Sequence, residues 1–331
     1  MNKRERIYAA VKLQETDRLP YSFWSHLPGI DLDATKLAEA TYQFYKTYDL
    51  DFIKTMNNGM YAIEDFGCKI DYSEVAQGGV ANIVSTPVQT PKDWEKLSVC
   101  SVTEGSLARE LSSLKQLIAL VKDEHVPVIF TVFSPITIAD KLCRKKVLEH
   151  INEGYGDAVK HALDVITQTT ANVAREAINL GADGIFFASQ MSTYNMMDPD
   201  LYLEYGKPYD LQVLHAAEGG WMNTIHAHGS NVMFDILSDY PVDIFNWHAW
   251  ETLPAIDEAQ LLTGKCLMGG LNRTDITNCN RNAIRNQIFS AYKMTGGRGL
   301  ILTPGCVIRY PLNDAMLAYV NAAKELVESR I

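Results

Sequence analysis

Short apolar runs alternate with longer amphipathic stretches along most of this chain. Eight of the runs read as strands: Leu19–His26, Asp51–Asn57, Val128–Ser134, Gly184–Gln190, Trp221–Gly229, Asp243–Trp250, Lys265–Asn272 and Gly299–Ile308. Most are rich in β-branched or aromatic residues and end in polar or glycine-containing loops, the pattern of buried strands. Between them, Thr35–Tyr48, Asp157–Leu180, Pro199–Glu218, Asn282–Lys293 and Leu312–Glu328 carry apolar residues at steps of three and four. That spacing predicts helices with one buried face. Asp198-Pro199 marks a helix start, because a proline at the first helical position lacks only an N–H that would have no partner there.

Strand–helix alternation predicts parallel strands joined by right-handed crossovers, an α/β fold. Eight such units in 331 residues fit a closed (β/α)8 TIM barrel. A doubly wound open sheet is the runner-up, and no GxGxxG run supports it. One segment breaks the alternation. Residues 59–101 are too long for a single connection and contain the strand-like runs Gly67–Tyr72 and Val80–Val84. They read as a hairpin insertion after strand two, near the barrel mouth. Without an internal repeat or a low-complexity linker, residues 1–331 read as one domain.

Composition narrows the function classes. Hydrophobic residues make up 47% of the chain, enough for a sizeable core. The net charge is −10 and no basic stripe occurs, which argues against nucleic acid as a partner. No run of eighteen apolar residues occurs, so no membrane span is expected. The N-terminus is charged and then amphipathic, without the apolar centre of a signal peptide. Six cysteines in a chain of this length do not suggest a disulfide framework. The expectation is a cytoplasmic protein acting on a small molecule.

In a barrel of this class, chemistry sits at the C-terminal ends of the strands. Four of the eight histidines fall there: His26, His226, His228 and His248. Strand periodicity puts His226 and His228 on one face. Cys306 ends the last strand. Two imidazoles and a thiol at strand ends are a soft-metal donor set, so His226, His228 and Cys306 are the candidate metal ligands. His26, Asn57, Gln190 and His248 are the candidates for holding a substrate. Each has a structural alternative: the histidines as hydrogen-bonded wall groups, Asn57 as a turn former, Gln190 as a partner for backbone groups.

Several segments resemble the uroporphyrinogen decarboxylase superfamily, which includes corrinoid-dependent methyltransferases. They are Glu15-Thr16-Asp17-Arg18-Leu19-Pro20, Asp51-Phe52-Ile53-Lys54, Asn246-Trp247-His248, Met268-Gly269-Gly270-Leu271, and Gly296-Gly297-Arg298-Gly299 through Thr303-Pro304-Gly305-Cys306. The resemblance implies a TIM barrel over nearly the whole chain. The decarboxylases carry an arginine-rich segment after strand one, an essential aspartate after strand two and a histidine at the last strand. Here those places read Phe23-Trp24-Ser25-His26-Leu27-Pro28-Gly29, Thr55-Met56-Asn57-Asn58 and Cys306.

The methyltransferase branch holds zinc with a His-x-Cys pair and a distant cysteine. By position His226 and Cys306 match, and His228 stands where the first cysteine is expected. The resemblance therefore implies zinc, or another divalent transition metal, and a methyl group moving between a corrinoid and a small thiol or pterin acceptor. Replacing one thiolate with an imidazole leaves the ion more positive and shifts it toward Lewis-acid behaviour. No Asp-x-His-x-x-Gly run for holding a corrinoid occurs, so the corrinoid arrives on a partner protein or free. Two alternatives stay open: a uroporphyrinogen decarboxylase-like decarboxylase, for which Arg273, Arg298 and Arg309 are the nearby cations, and a non-catalytic metal- or ligand-binding module.

Overall fold

The computed structural model describes residues 1–75 and 81–310. Nine strands occur among them: β1 Ile53–Lys54, β2 Lys69–Asp71, β3 Asn82–Ser85, β4 Val128–Phe133, β5 Gly184–Ser189, β6 Thr224–Ala227, β7 Ile244–Trp247, β8 Cys266–Leu271 and β9 Leu300–Pro304. Seven form one parallel sheet in the order β1-β4-β5-β6-β7-β8-β9, with helices between them. The sheet curls into a TIM barrel. An apolar cluster that includes Phe52, Ile129, Phe186, Ile244, Met268 and Ile301 fills its inside. A larger cluster packs the outer face of the sheet against the helices.

The predicted first strand departs from expectation. Leu19–His26 makes only two isolated parallel bridges, Tyr21 with Leu302 and Ser25 with Ile308. Pro20 has no N–H to give a ladder, and the Tyr21 N–H donates to the Asp51 carboxylate at 3.0 Å instead of to a strand. The segment still closes the barrel. On one side the Ser22 N–H donates to Leu302 O at 3.0 Å and the Leu302 N–H to Pro20 O at 2.8 Å. On the other the Asp51 N–H donates to Tyr21 O at 3.0 Å, and the Ser22 hydroxyl to Phe52 O at 2.7 Å.

Asp51 fastens this closure. Its carboxylate is fully buried and accepts from Arg6 Nη1 at 2.7 Å, from Arg18 Nη1 and Nη2 at 2.7 and 3.0 Å, and from the Tyr21 N–H. Arg6 lies on the helix Lys3–Val11, so the clasp pins the N-terminal helix and the closing segment to β1. Asp183, just before β5, plays a similar part at the same end of the strands. It accepts from the Val128 N–H and Trp221 Nε1, both at 2.9 Å, and pairs with Arg4.

The helices fall close to their predicted places at Ala34–Tyr48, Gly156–Asn179 and Arg281–Thr295. Pro199–Glu218 instead divides into Pro199–Tyr205 and Lys207–Ala216. Pro208 is the second residue of the later piece, where its ring and missing N–H prevent one continuous helix. The run Leu312–Glu328 lies outside the described residues. In the 59–101 segment, β2 and β3 pair antiparallel, and Val80 of the second predicted run is outside the described residues. No helix among the described residues is long and apolar enough to cross a membrane.

Removing one partner from a buried ion pair costs about 3–5 kcal/mol, because the remaining charge is left unpaired. Asp51→Ala is therefore expected to lower unfolding stability by about that amount, read as a fall in the urea midpoint at unchanged m-value. A loss below about 1 kcal/mol would show that the clasp does not hold the barrel closed.

Candidate metal centre

The ends of β6, β7 and β9 converge on one point. Parallel register sets His226 beside Asn246 and Ala227 beside Trp247. Continuing that register past both strands brings His228 beside His248. Cys306 arrives from β9, two strands from β7. Gly305 makes this approach possible: a Cβ there would lie 2.7 Å from His248 Cα and 2.7 Å from Trp247 O. No side chain fits so close to backbone, and a glycine lets the turn pass directly against it.

One donor atom each from His226, His228, His248 and Cys306 lies within 4.8 Å of all the others. Within this group, His226 Nε2 is 3.4 Å from His228 Nδ1, and Cys306 Sγ is 3.6 Å from the same nitrogen. A tetrahedral ion with metal–nitrogen bonds of about 2.0–2.1 Å and a metal–sulfur bond of about 2.3 Å needs donors about 3.3 and about 3.6 Å apart. The spacings of His228 to His226 and to Cys306 therefore suit such an ion, and His226 and Cys306 have donor atoms within 4.8 Å of each other.

Neighbouring groups set the ring tautomers. Asn246 Nδ2 donates to Met268 O at 3.0 Å and faces Pro304 O at 3.4 Å, which turns Asn246 Oδ1 toward His226 Nδ1 at 2.6 Å. His226 Nδ1 thus carries the proton, and Nε2 points its lone pair into the centre. His248 Nδ1 donates to Glu251 Oε2 at 3.2 Å, while its Nε2 is buried without a hydrogen-bond partner among the described residues. A buried lone pair of this kind fits a metal or a ligand N–H as its partner.

Electrostatics favour neutral imidazoles. Burial, and next the neighbouring His228 and His248, hold His226 well below the usual histidine range. Burial, with His248 and Arg273 nearby, pushes His228 down to about 4. Burial also lowers His248, against the opposing pull of Glu251. The Cys306 thiol is raised by burial, with Arg273 and Lys54 pulling the other way. Lys54, fully buried below the centre, is pushed down to about 8. Its Nζ donates to Thr131 Oγ1 at 2.9 Å and lies 4.8 Å from the Phe186 ring, which stacks on His226.

A cavity of about 690 Å³ opens above the centre. His228, Cys306, His26, Asn58, Asp31 and Arg273 are among its described lining residues. Of the substrate candidates, His26 faces this cavity and His248 joins the histidine cluster. Asn57 lies apart: its amide donates to Glu110 Oε2 at 2.9 Å and accepts from the Thr55 hydroxyl, and its neighbour Asn58 lines the cavity. Gln190 is half-buried at the end of β5, where its backbone N–H donates to Thr137 Oγ1 at 2.9 Å. The sequence reading did not group His248 with the trio. The available signal was the repeated pattern His-x-His and Asn-x-His at the ends of two neighbouring strands.

Residues 2–326 match the model of the uroporphyrinogen decarboxylase (URO-D) family. Two curated relatives, methylcobamide:CoM methyltransferases of Methanosarcina acetivorans and Methanosarcina mazei, are each 21% identical over 229 residues, covering 64% of this chain. The chain spans just under two thirds, 66%, of the length of these relatives. Among solved structures, a methyltransferase from Methanosarcina mazei has a TM-score of 0.78 at 18% identity, over 98% of this chain and 99% of that one. A B12-independent methionine synthase from Shewanella sp. W3-18-1, in complex with selenomethionine, has a TM-score of 0.61 at 15% identity, over 94% and 98%. The two structural likenesses speak to the barrel alone; the family match extends over nearly every element described above, and the chain belongs to the uroporphyrinogen decarboxylase family.

Proposed function

We propose that this protein is a metal-dependent methyltransferase that moves a methyl group between a corrinoid carrier and a small thiol or pterin acceptor. The observation that carries the proposal is the convergence of His226, His228 and Cys306 at donor spacings suited to a tetrahedral divalent ion. The methylcobamide:CoM methyltransferases among its relatives support the transferred group and the carrier. Zinc suits two imidazoles and a thiolate, and cobalt or iron(II) fits the same donors. Held by His226, His228 and Cys306, such an ion would supply the positive charge that lowers the pKa of an acceptor thiol and favours its nucleophilic anion.

The remaining work falls to the chain's own groups. Asn246 holds the His226 lone pair toward the centre, and Glu251 does the same for His248. The depressed basicity of the three imidazoles keeps protons from competing for these lone pairs. Cys306 must release its proton on loading, and Arg273 and Lys54 ease that release. The cavity is of a size for a small acceptor. The corrinoid comes to its mouth on a partner protein or free. Decarboxylation of a polycarboxylate is less well supported, because Arg273 and Arg309 are the only arginines among the described lining residues and Arg298 pairs with Glu15 at the surface.

A second reading rests on His248. Four protein donors can complete a tetrahedral shell, which is the arrangement of a structural rather than a catalytic ion. The protein would then be a metal-binding module without turnover.

Purified protein is expected to hold about one divalent ion per chain, and Cys306→Ala much less, by elemental analysis. Equal metal in the two would remove the proposal. Metal-loaded protein should also bleach the methylcobalamin spectrum when given a thiol or a tetrahydropterin, and an unaltered spectrum with both acceptors would count against methyl transfer. Asn246→Leu removes the group that orients His226, so its metal affinity in a chelator competition should fall about 10–100-fold. His248→Ala separates the two readings: retention of metal and turnover supports the open site, and loss of metal supports the closed one.

A further inference from the structure

The short helical turn Ile30–Leu32 has its polarity inverted. Ile30 and Leu32 are 40% and 36% exposed, whereas Asp31 between them is 5% exposed and lines the cavity. The informative residue of the three is Asp31, because aspartate is rarely buried unless paired. Asp31 Oδ1 is inaccessible to solvent and has no hydrogen-bond partner among the described residues. Burial raises the carboxyl, although the Asn58 amide and two backbone N–H groups oppose the shift. A buried acceptor left unmet costs stability, so one placed in the wall of a cavity suits a donor on a bound ligand.

The described cations nearby do not supply that donor to Oδ1. Arg109 is the guanidinium whose charge acts on Asp31, and it is already engaged by Glu64 at 3.0 Å and Glu110 at 3.1 Å. Asp31 forms no ion pair among the described residues. Three carboxyl groups thus share one guanidinium. Glu110, buried behind the wall, is pushed up to about 7, chiefly by desolvation. Glu64 also accepts from Tyr72, another lining residue, at 3.0 Å. Arg273 and Cys306 line the same cavity, so it pairs an acidic region with the basic residue beside the metal centre.

We infer that Asp31 is a recognition group for the substrate, taking a positively polarised N–H donor edge while the reacting atom lies toward Cys306. Two kinds of molecule share that chemistry: a reduced pterin, which offers the adjacent N–H groups of its aminopyrimidinone ring, and a protonated alkylamine. A thiol without an N–H group gains nothing from Asp31. The inference rests on reading the cavity as the acceptor site of the proposed methyltransferase, and it gives that acceptor a chemical class.

The test is calorimetric binding to full-length, metal-loaded protein, with 6-methyltetrahydropterin, butylammonium and 2-mercaptoethanol as probes. Asp31→Asn keeps the shape of the side chain and removes its charge. The variant is expected to bind the N–H probe about tenfold or more weakly, with thiol binding unchanged. Its thermal midpoint should equal or exceed that of wild type, because the unmet buried carboxylate is gone. Pterin binding without ammonium binding would identify the planar edge, and the reverse would identify an ammonium. Wild type that binds neither at millimolar concentration overturns the inference. So does equal binding by the variant, or a fall in its midpoint, which would make Asp31 a structural counter-ion to Arg109. Asp31-dependent binding without methyl transfer would leave this inference standing and remove the proposed activity; methyl transfer to a thiol without N–H binding would do the opposite.

Discussion

The barrel depends on how its first and last strands meet, and here a carboxylate does much of what a ladder does elsewhere. A regular strand between β9 and β1 would satisfy its own backbone. The segment beginning at Leu19 cannot, since Pro20 lacks a donor and the Tyr21 N–H turns to Asp51. The clasp withstands burial because every strong donor around Asp51 is matched: three guanidinium N–H bonds and one backbone N–H. Arg6 further accepts help from Asp17, at 2.7 and 2.9 Å, which spreads the positive charge over two carboxylates. The position of β9, and with it Cys306, follows from this closure.

At the other end of the strands the governing constraint is shared desolvation. His226, His228 and His248 are close enough that a proton on one disfavours a proton on the next, and burial adds to the effect. Phe186 covers one face of His226, with ring centroids 5.1 Å apart, and limits the approach of water from that side. Lys54 supplies a cation beneath the cluster whose hydrogen bonds go to neutral oxygens, Thr131 Oγ1 and Thr55 O. An anion at Cys306 would be its natural counter-charge. Neutral nitrogens above and a buried ammonium below suit a site that gathers negative charge on sulfur.

Much of this was legible in the chain. Apolar runs with helical stretches between them marked seven of the eight barrel strands, because burial on both faces leaves a continuous hydrophobic signature. Alternation along β6 put His226 and His228 on one side. The parts that were not legible depend on contacts between distant residues. Leu19–His26 has the composition of a strand, and only Asp51, thirty positions from Tyr21, diverts its hydrogen bonding. The break after Tyr205 was not read, because the apolar spacing runs through Pro208 without interruption. Asn57 reads as a strand-end polar group and is in fact consumed by Glu110, on the helix Gly105–Leu120. His248 joins the cluster through register between neighbouring strands, which one strand's pattern does not contain.

Gly305 ties the two ends of this account together. It brings the last strand against the backbone of His248, and the chain just beyond it is bonded to the first segment, Ile308 N–H to Trp24 O at 3.0 Å and the Ser25 hydroxyl to Ile308 O at 2.9 Å. The sulfur of the donor set and the seam of the barrel therefore travel on one stretch of polypeptide. Occupancy of the donor set and closure of the seam are thermodynamically linked: whatever binds the first favours the second, by an amount set by its concentration relative to its dissociation constant.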